Sequence, residues 1–240
     1  MSCFLGLNWK LNPSTLSEAQ NLLASYGEFE DLVVFAPSVF LQPLTMVNLD
    51  LNLGSQDISE NETGAFTGEI SPLALNDLGV KYTLVGHSET RQNLGYDNQK
   101  VANKTKNSLK NNLTPIVCLG YSLDKEGVNY DELQEQIHSV LVENSSCELF
   151  FAYEPVWAIG TGKAASSEIV AQVLDFLHKY ITDNFPKVKA KLLYGGSVNS
   201  LNFLELAKTP YLDGFLIGSS SLKPDEVEAF FKLRKEINHI

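Results

Sequence analysis

The chain has 240 residues, 44% of them apolar, and carries a formal charge of −11 from 18 basic and 29 acidic side chains. That apolar content excludes a disordered chain, and the length suits one large α/β unit or two small domains. The acidic balance argues against non-specific binding of nucleic acid or anionic membranes. An anionic ligand would need a local site built from a lysine and backbone N–H groups.

Short apolar runs alternate with helical patterns and no linker breaks them. Strands are predicted over residues 3–7, 32–36, 51–55, 82–85, 115–119, 149–153, 192–194 and 214–217. Their spacing of roughly 30 residues is that of one strand–helix unit. Ser14 is a candidate N-cap for a helix through Leu16, Ala19, Leu22 and Leu23. Ile169, Val173, Phe176, Leu177 and Tyr180 recur at helical spacing behind a cap at Ser166 or Ser167. Pro224 stands near the first position of a last helix through Val227, Phe230, Phe231 and Leu233. The strands are apolar throughout, as in a sheet covered on both faces. Eight such units read as one (β/α)8 barrel over residues 1–240; composition and period alone also allow an open doubly wound sheet. Cys3, Cys118 and Cys147 fit no zinc or C-x-x-C spacing, which points to a reducing, cytoplasmic setting. No apolar run reaches the ~18 residues of a membrane span, and no signal-peptide pattern opens the sequence.

In a parallel array of this kind, chemistry sits at the carboxyl ends of the strands. Those ends carry Asn8 and Lys10, Gln56, His87 and Glu89, Glu154, Ser197, and the run Ser219-Ser220-Ser221. Asn8 and Lys10, two residues apart, are expected on one face. A lone Glu154 would ordinarily be a salt-bridged carboxylate. Behind it, however, lie a stiff Pro155-Val156-Trp157, a donor-rich Ala158-Ile159-Gly160-Thr161-Gly162 and Lys163-Ala164-Ala165, the pattern of a lid with two hinges. A lid that excludes water would raise the pKa of Glu154 and make it a base. His87 opens a short helix, whose positive end disfavours an imidazolium. Tyr194-Gly195-Gly196-Ser197 and Gly218-Ser219-Ser220 follow late strands, where glycines let the backbone approach a phosphate. Gly160-Thr161-Gly162-Lys163 is not a P-loop, because Trp157 and Ala164 stand where Gly and Ser/Thr are needed. Gly86-His87-Ser88-Glu89-Thr90 is one residue short of a nucleophile elbow.

Taken together, these segments resemble the triosephosphate isomerase family along nearly the whole chain. The resemblance rests on Asn8-Trp9-Lys10, the stretch from Thr63 to Ser71, Gly86-His87-Ser88-Glu89, Cys118-Leu119-Gly120, the stretch from Ala152 to Lys163, and Tyr194-Gly195-Gly196-Ser197-Val198. It implies a barrel enzyme that needs no metal or organic cofactor and interconverts two triose phosphates. It also implies roles. Glu154 shuttles a proton between C1 and C2, neutral His87 moves one between the two oxygens, and Lys10 stabilises the enediolate while Asn8 positions the substrate. Gly160, Ser197, Gly218 and Ser219 serve the phosphate. Ile159 and Leu216 clamp Glu154, and Glu89 pairs with Lys10. The loop from Ile58 to Gly68 inserts into a second subunit of a homodimer, with Thr67 reaching the neighbour's site.

The chain departs from the family at four places. Thr90 and Tyr96 replace an Arg and a Glu that normally pair, Tyr121 replaces a Glu that holds the lid tryptophan (here Trp157), and Ser219 replaces a Gly. At positive φ, a Cβ at Ser219 would cost ~1–2 kcal/mol of strain. At negative φ its hydroxyl adds a donor, which a serine run opening a helical turn favours. Two other readings compete. A sugar-phosphate epimerase would want metal-binding His and Asp at strand ends, and only His87 of four histidines is there. A barrel kept as a binding protein would have lost Glu154, His87 or Lys10.

Overall fold

The structure is a computed structural model and describes residues 3–26, 32–47, 52–120, 128–144, 147–156 and 165–237. Eight parallel strands pair in chain order: β1 (Phe4–Asn8), β2 (Leu32–Ala36), β3 (Asn52–Ser55), β4 (Tyr82–Val85), β5 (Thr114–Gly120), β6 (Glu148–Glu154), β7 (Lys189–Tyr194) and β8 (Leu212–Ile217). β8 returns to β1, pairing Leu216 with Gly6, so the sheet is a closed (β/α)8 barrel and not an open one. The helices among the described residues are α1 (Leu16–Ala24), α2 (Ser38–Thr45), α3 (Pro72–Asp77), α4 (Ser88–Leu94), α5 (Asn98–Lys110), α6 (Tyr130–Glu143), α7 (Ser167–Asn184), α8 (Phe203–Ala207) and α9 (Pro224–Ile237).

Strand side chains alternate between two cores, because successive Cβ atoms point to opposite faces. Phe4, Val33, Phe35, Leu84, Ile116, Cys118, Phe150, Ala152, Leu193 and Leu216 fill the barrel interior. Their neighbours, such as Leu5, Leu7, Val34, Phe151, Tyr153 and Ile217, face the helices. Burial on both faces explains the unbroken apolar runs. The interior is tight at Gly54, where an added Cβ would lie 2.4 Å from the Phe35 ring.

Thr15, rather than Ser14, caps α1. It forms a reciprocal pair in which the Glu18 N–H donates to Thr15 Oγ1 at 3.2 Å and the Thr15 N–H donates to Glu18 Oε2 at 3.1 Å. The two donors satisfied by T-x-x-E outweigh the single one offered by Ser14. Ser166 caps α7 as expected, and α9 opens on Pro224.

Helix α5 is polar even on its buried side, and the reason lies in the long connection after β3. Asn103 donates to Glu60 at 2.8 Å, Lys104 to Asp57 at 3.0 Å, Asn107 to the Ser59 carbonyl at 3.0 Å and Asn111 to Glu62 at 3.1 Å. These residues share one helical face. They hold the base of the loop from Ile58 to Gly68, while Thr63 through Gly68, including Thr67, stay exposed.

Candidate active site

The inward rows of β1, β6 and β8 continue past the interior core into a cavity of about 560 Å³ at the carboxyl end of the barrel. Phe4 and Gly6 lead to Asn8, Phe150 and Ala152 lead to Glu154, and Leu216 leads to Gly218. Asn8, Lys10, His87, Glu89, Glu154, Ser197, Leu216, Gly218 and Ser219 all line this cavity.

Lys10 does not continue the inward row of β1. Trp9 faces outward, fully buried, with its indole N–H donating to the Tyr26 hydroxyl at 2.7 Å, and Tyr26 in turn donates to the Ser221 carbonyl. Lys10 turns back over the cavity by adopting a left-handed backbone, φ +54°. For an L-residue this costs on the order of 1–2 kcal/mol. The Lys10 N–H donates to Asn8 Oδ1 at 3.0 Å, and the ammonium lies 2.5 Å from a Glu89 carboxylate oxygen. A Cβ on Gly218 would stand 3.3 Å from Lys10 Cε, so the lysine lies alongside the turn after β8.

His87 caps α4 with its own ring. The Glu89 N–H donates to Nδ1 at 3.2 Å, and Nε2 lies 2.9 Å from Glu154 Oε1. The other Glu154 oxygen accepts the Ser88 N–H at 2.8 Å. Glu154 is 1% exposed and His87 6%. Burial alone would raise the Glu154 pKa, as the sequence led one to expect. Here His87, the Ser88 N–H and Lys10 outweigh burial and hold it below the ordinary carboxylate value. Burial pushes the His87 pKa down, but the Glu154 and Glu89 carboxylates carry it above the ordinary histidine value. The Glu89 N–H opposes that rise, since an imidazolium would set one N–H against another. Neutral imidazole with its proton on Nε2 satisfies both contacts. Glu154→Gln should therefore lower the His87 pKa, because it removes the main influence raising it and leaves burial in place. Imidazole nitrogen NMR titration reads this, and an unchanged His87 titration would mean that Glu154 does not face the ring.

The turns after β7 and β8 approach each other across the cavity. Gly195 lies against Glu154, where an added Cβ would sit 3.1 Å from the glutamate Cγ. The Ser197 carbonyl accepts from Asn202 at 3.0 Å, and the Ser220 hydroxyl ties the two turns by donating to the Val198 carbonyl at 2.6 Å. Ser219 opens a 3-10 turn, Ser219–Leu222, and is exposed. It is not among the described non-glycine residues with positive φ, which are Lys10, Asn112 and Tyr211. Ile159, Gly160, Trp157 and Tyr121 lie outside the described residues.

Two departures from the family pattern are accounted for locally. The Thr90 hydroxyl donates to the His87 carbonyl at 2.8 Å, inside the first turn of α4. The Tyr96 hydroxyl donates to Asp57 at 2.8 Å, and Asp57 also holds Lys104, which is 1% exposed. The negative charge that the buried lysine needs is thus supplied from position 57.

The model of one family, triosephosphate isomerase, matches residues 3–235. The chain belongs to the triosephosphate isomerase family. It is 39% identical to the triosephosphate isomerase of Coprinopsis cinerea, over 95% of this chain and 96% of that one. It is 38% identical to that of Coxiella burnetii, over 96% and 95%, and 36% identical to that of Clostridium novyi, over 95% and 97%. Membership makes it an isomerase. No helix among the described residues is long and apolar enough to cross a membrane.

Sequence alone assigns Gln56 no role beyond its place after a strand. In the structure its amide donates to the Lys10 carbonyl at 2.8 Å and to the Phe35 carbonyl at 2.9 Å. Its position at a strand end was the one available signal. The positive φ of Lys10, which gives that contact its meaning, leaves no mark in the sequence.

Proposed function

We propose that the protein interconverts dihydroxyacetone phosphate and D-glyceraldehyde 3-phosphate, as a cytoplasmic homodimer serving glycolysis and gluconeogenesis. The observation that carries this reading is the convergence of three groups on one cavity: the buried Glu154 carboxylate, the His87 imidazole 2.9 Å from it, and the Lys10 ammonium. Glu154 removes a proton from C1 of the ketose, and the C–H electron pair becomes the second bond between C1 and C2. The negative charge that develops on the C2 oxygen is met by Lys10 and by the Nε2 proton of His87. Charge stabilisation by groups already in place is usually the largest single source of acceleration in such reactions. His87 then gives its proton to that oxygen and takes one from the C1 oxygen. Glu154 returns its proton to C2, leaving the aldehyde. Nothing in these steps calls on a metal ion or an organic cofactor.

The resting contacts of Glu154 support the role. For the carboxylate to reach carbon it must leave the Ser88 N–H and the His87 ring, two interactions that now hold its pKa down. Once it leaves, burial remains and strengthens it as a base. His87 simultaneously loses the carboxylate that raises its own pKa, which favours the neutral ring. Leu216, 3% exposed beside Glu154, and Ile159 of the lid are assigned to shield the carboxylate from water. Asn8 positions the substrate. Gly160, Ser197, Gly218 and Ser219 receive the phosphate.

A coupled assay for glyceraldehyde 3-phosphate formed from dihydroxyacetone phosphate tests the reading, with and without chelator. Activity unchanged by chelator is expected; a chelator-sensitive epimerisation, or no turnover at all, would overturn it. Ser219 offers a finer test. Its non-positive φ leaves no strain to relieve, so Ser219→Gly only removes a hydroxyl worth about 1 kcal/mol or more to a charged phosphate. Phosphate-bearing inhibitors should bind several-fold more weakly while turnover of unphosphorylated glyceraldehyde hardly changes. Tighter inhibitor binding together with a higher melting temperature would contradict the assignment.

A further inference from the structure

Among the described residues, Lys10 is the one at the cavity whose backbone is left-handed without being glycine, and such a conformation persists only where its surroundings hold it. Both of its peptide groups are held by side chains. Asn8 Oδ1 accepts its N–H at 3.0 Å, and Gln56 Nε2 donates to its carbonyl at 2.8 Å. The second hydrogen of the same amide goes to the Phe35 carbonyl at the end of β2, at 2.9 Å. Two donors meet two acceptors, which also fixes the orientation of the amide, since its oxygen cannot face two carbonyls. The glutamine thereby spans the ends of β1 and β2 from the end of β3.

The segment carrying Gln56 is itself fastened on its far side. The Ser55 hydroxyl donates to the Asp57 carbonyl at 2.5 Å. The Asp57 carboxylate accepts from Lys104 at 3.0 and 3.1 Å and from the Tyr96 hydroxyl at 2.8 Å, and Lys104 also donates to the Ile58 carbonyl. Lys104 belongs to α5, so the helix outside the barrel fixes the two residues that follow the glutamine.

We propose that Gln56 is the positioning residue of Lys10: it holds the left-handed turn that brings the ammonium over the turn after β8, and the cluster of buried Lys104 with half-buried Asp57 and Tyr96 holds Gln56. It touches no substrate. If the Lys10 carbonyl were released, the backbone would relax toward negative φ and carry the side chain off its line past Gly218. Binding of an anion and stabilisation of the enediolate would then both weaken, because the same cation serves both. The effect on turnover rests on the isomerase reading above; the effect on anion binding does not.

The test is Gln56→Met, which keeps the length of the side chain and removes both donors, read against Leu141→Ala, a core truncation in α6 remote from Lys10. Inorganic phosphate is the probe, titrated by calorimetry into both variants and the wild-type protein, alongside kcat, KM and melting temperature. Gln56→Met should raise the phosphate Kd about tenfold. It should also lower kcat/KM on the order of tenfold to 100-fold, through KM as well as kcat. Leu141→Ala should lose melting temperature and keep its phosphate affinity and KM. If Gln56→Met does not fold, Gln56→Asn, which keeps the amide but withdraws it by one methylene, is read by the same criteria. A phosphate Kd and KM equal to wild type, with kcat falling only in step with the folded fraction, would overturn the proposal. Wild-type protein that binds phosphate without isomerising triose phosphates would sink the function and leave the phosphate comparison still decisive for Gln56.

Discussion

Glu154→Asp is expected to lower turnover by ~100-fold or more while leaving KM near its wild-type value, since a catalytic group displaced by about 1 Å can lose that much. Glu154 ends the inward row of β6, and its backbone is fixed by pairing with Gly120. Gly195 leaves just enough room for the glutamate Cγ, as its hypothetical Cβ 3.1 Å away shows. An aspartate starts from the same Cα, so the carboxylate retreats along the side chain by one methylene and cannot recover the distance by a backbone shift. The groups assigned to the phosphate come from β7, β8 and the lid, and none depends on the length of residue 154. Steady-state kinetics on the purified variant decide the matter, with circular dichroism to show an intact barrel. Turnover equal to wild type would remove Glu154 from the role of base.

What the sequence disclosed and what it hid divide along a physical line. The barrel was legible because each βα unit repeats the same local requirement, an apolar strand followed by a capped amphipathic helix. Strand positions came within a few residues, and the inward places of Asn8, Glu154, Leu216 and Gly218 follow from period-two alternation once the strands are set. Features that depend on a partner distant in sequence were not legible. The burial of Lys104 depends on Asp57, 47 positions away, and the Tyr96 hydroxyl depends on the same carboxylate, 39 positions away. The direction of the Glu154 pKa belongs to this class too. Sequence shows a carboxylate in an apolar strand and hence its desolvation, but the opposing contacts come from His87 and Ser88 on a different strand end. Lys10 was placed on the face of Asn8 by simple alternation, and the left-handed turn that actually puts it over the cavity is imposed by Gln56 and Asn8 from either side.

Deletion of residues 60–66 should convert a dimer into a folded monomer with little activity. The loop that contains them is longer than a strand–helix connection needs to be, and the chain spends a whole helical face on its base. Asn103, Lys104 and Asn107 of α5 and its C-cap Asn111 each hold part of it, and Ser71 donates to the Glu62 carbonyl at 2.8 Å. Beyond that base, the tip carries Gly64 at φ +127° and Gly68 at φ +91°, and presents Phe66, 44% exposed, to solvent. A loop whose base is pinned and whose tip presents an exposed aromatic ring is organised for contact, since the ring gains no burial inside the subunit. Leu11, between Lys10 and Asn12 of the cavity lining, is 93% exposed, a large apolar side chain left uncovered. Covering Leu11 with a partner's loop would steady the turn that carries Lys10, so dimerisation and catalysis should fail together. Leu11→Glu provides the same test without shortening the chain: its side chain is already in water, so the substitution leaves the monomer fold unstrained while placing a charge where the proposed partner would pack. Sedimentation velocity at several concentrations, paired with turnover per folded chain, reads both variants. A wild-type protein that sediments as a monomer at full activity would refute the dimer, and a monomeric Leu11→Glu that keeps wild-type turnover would sever the link between assembly and catalysis.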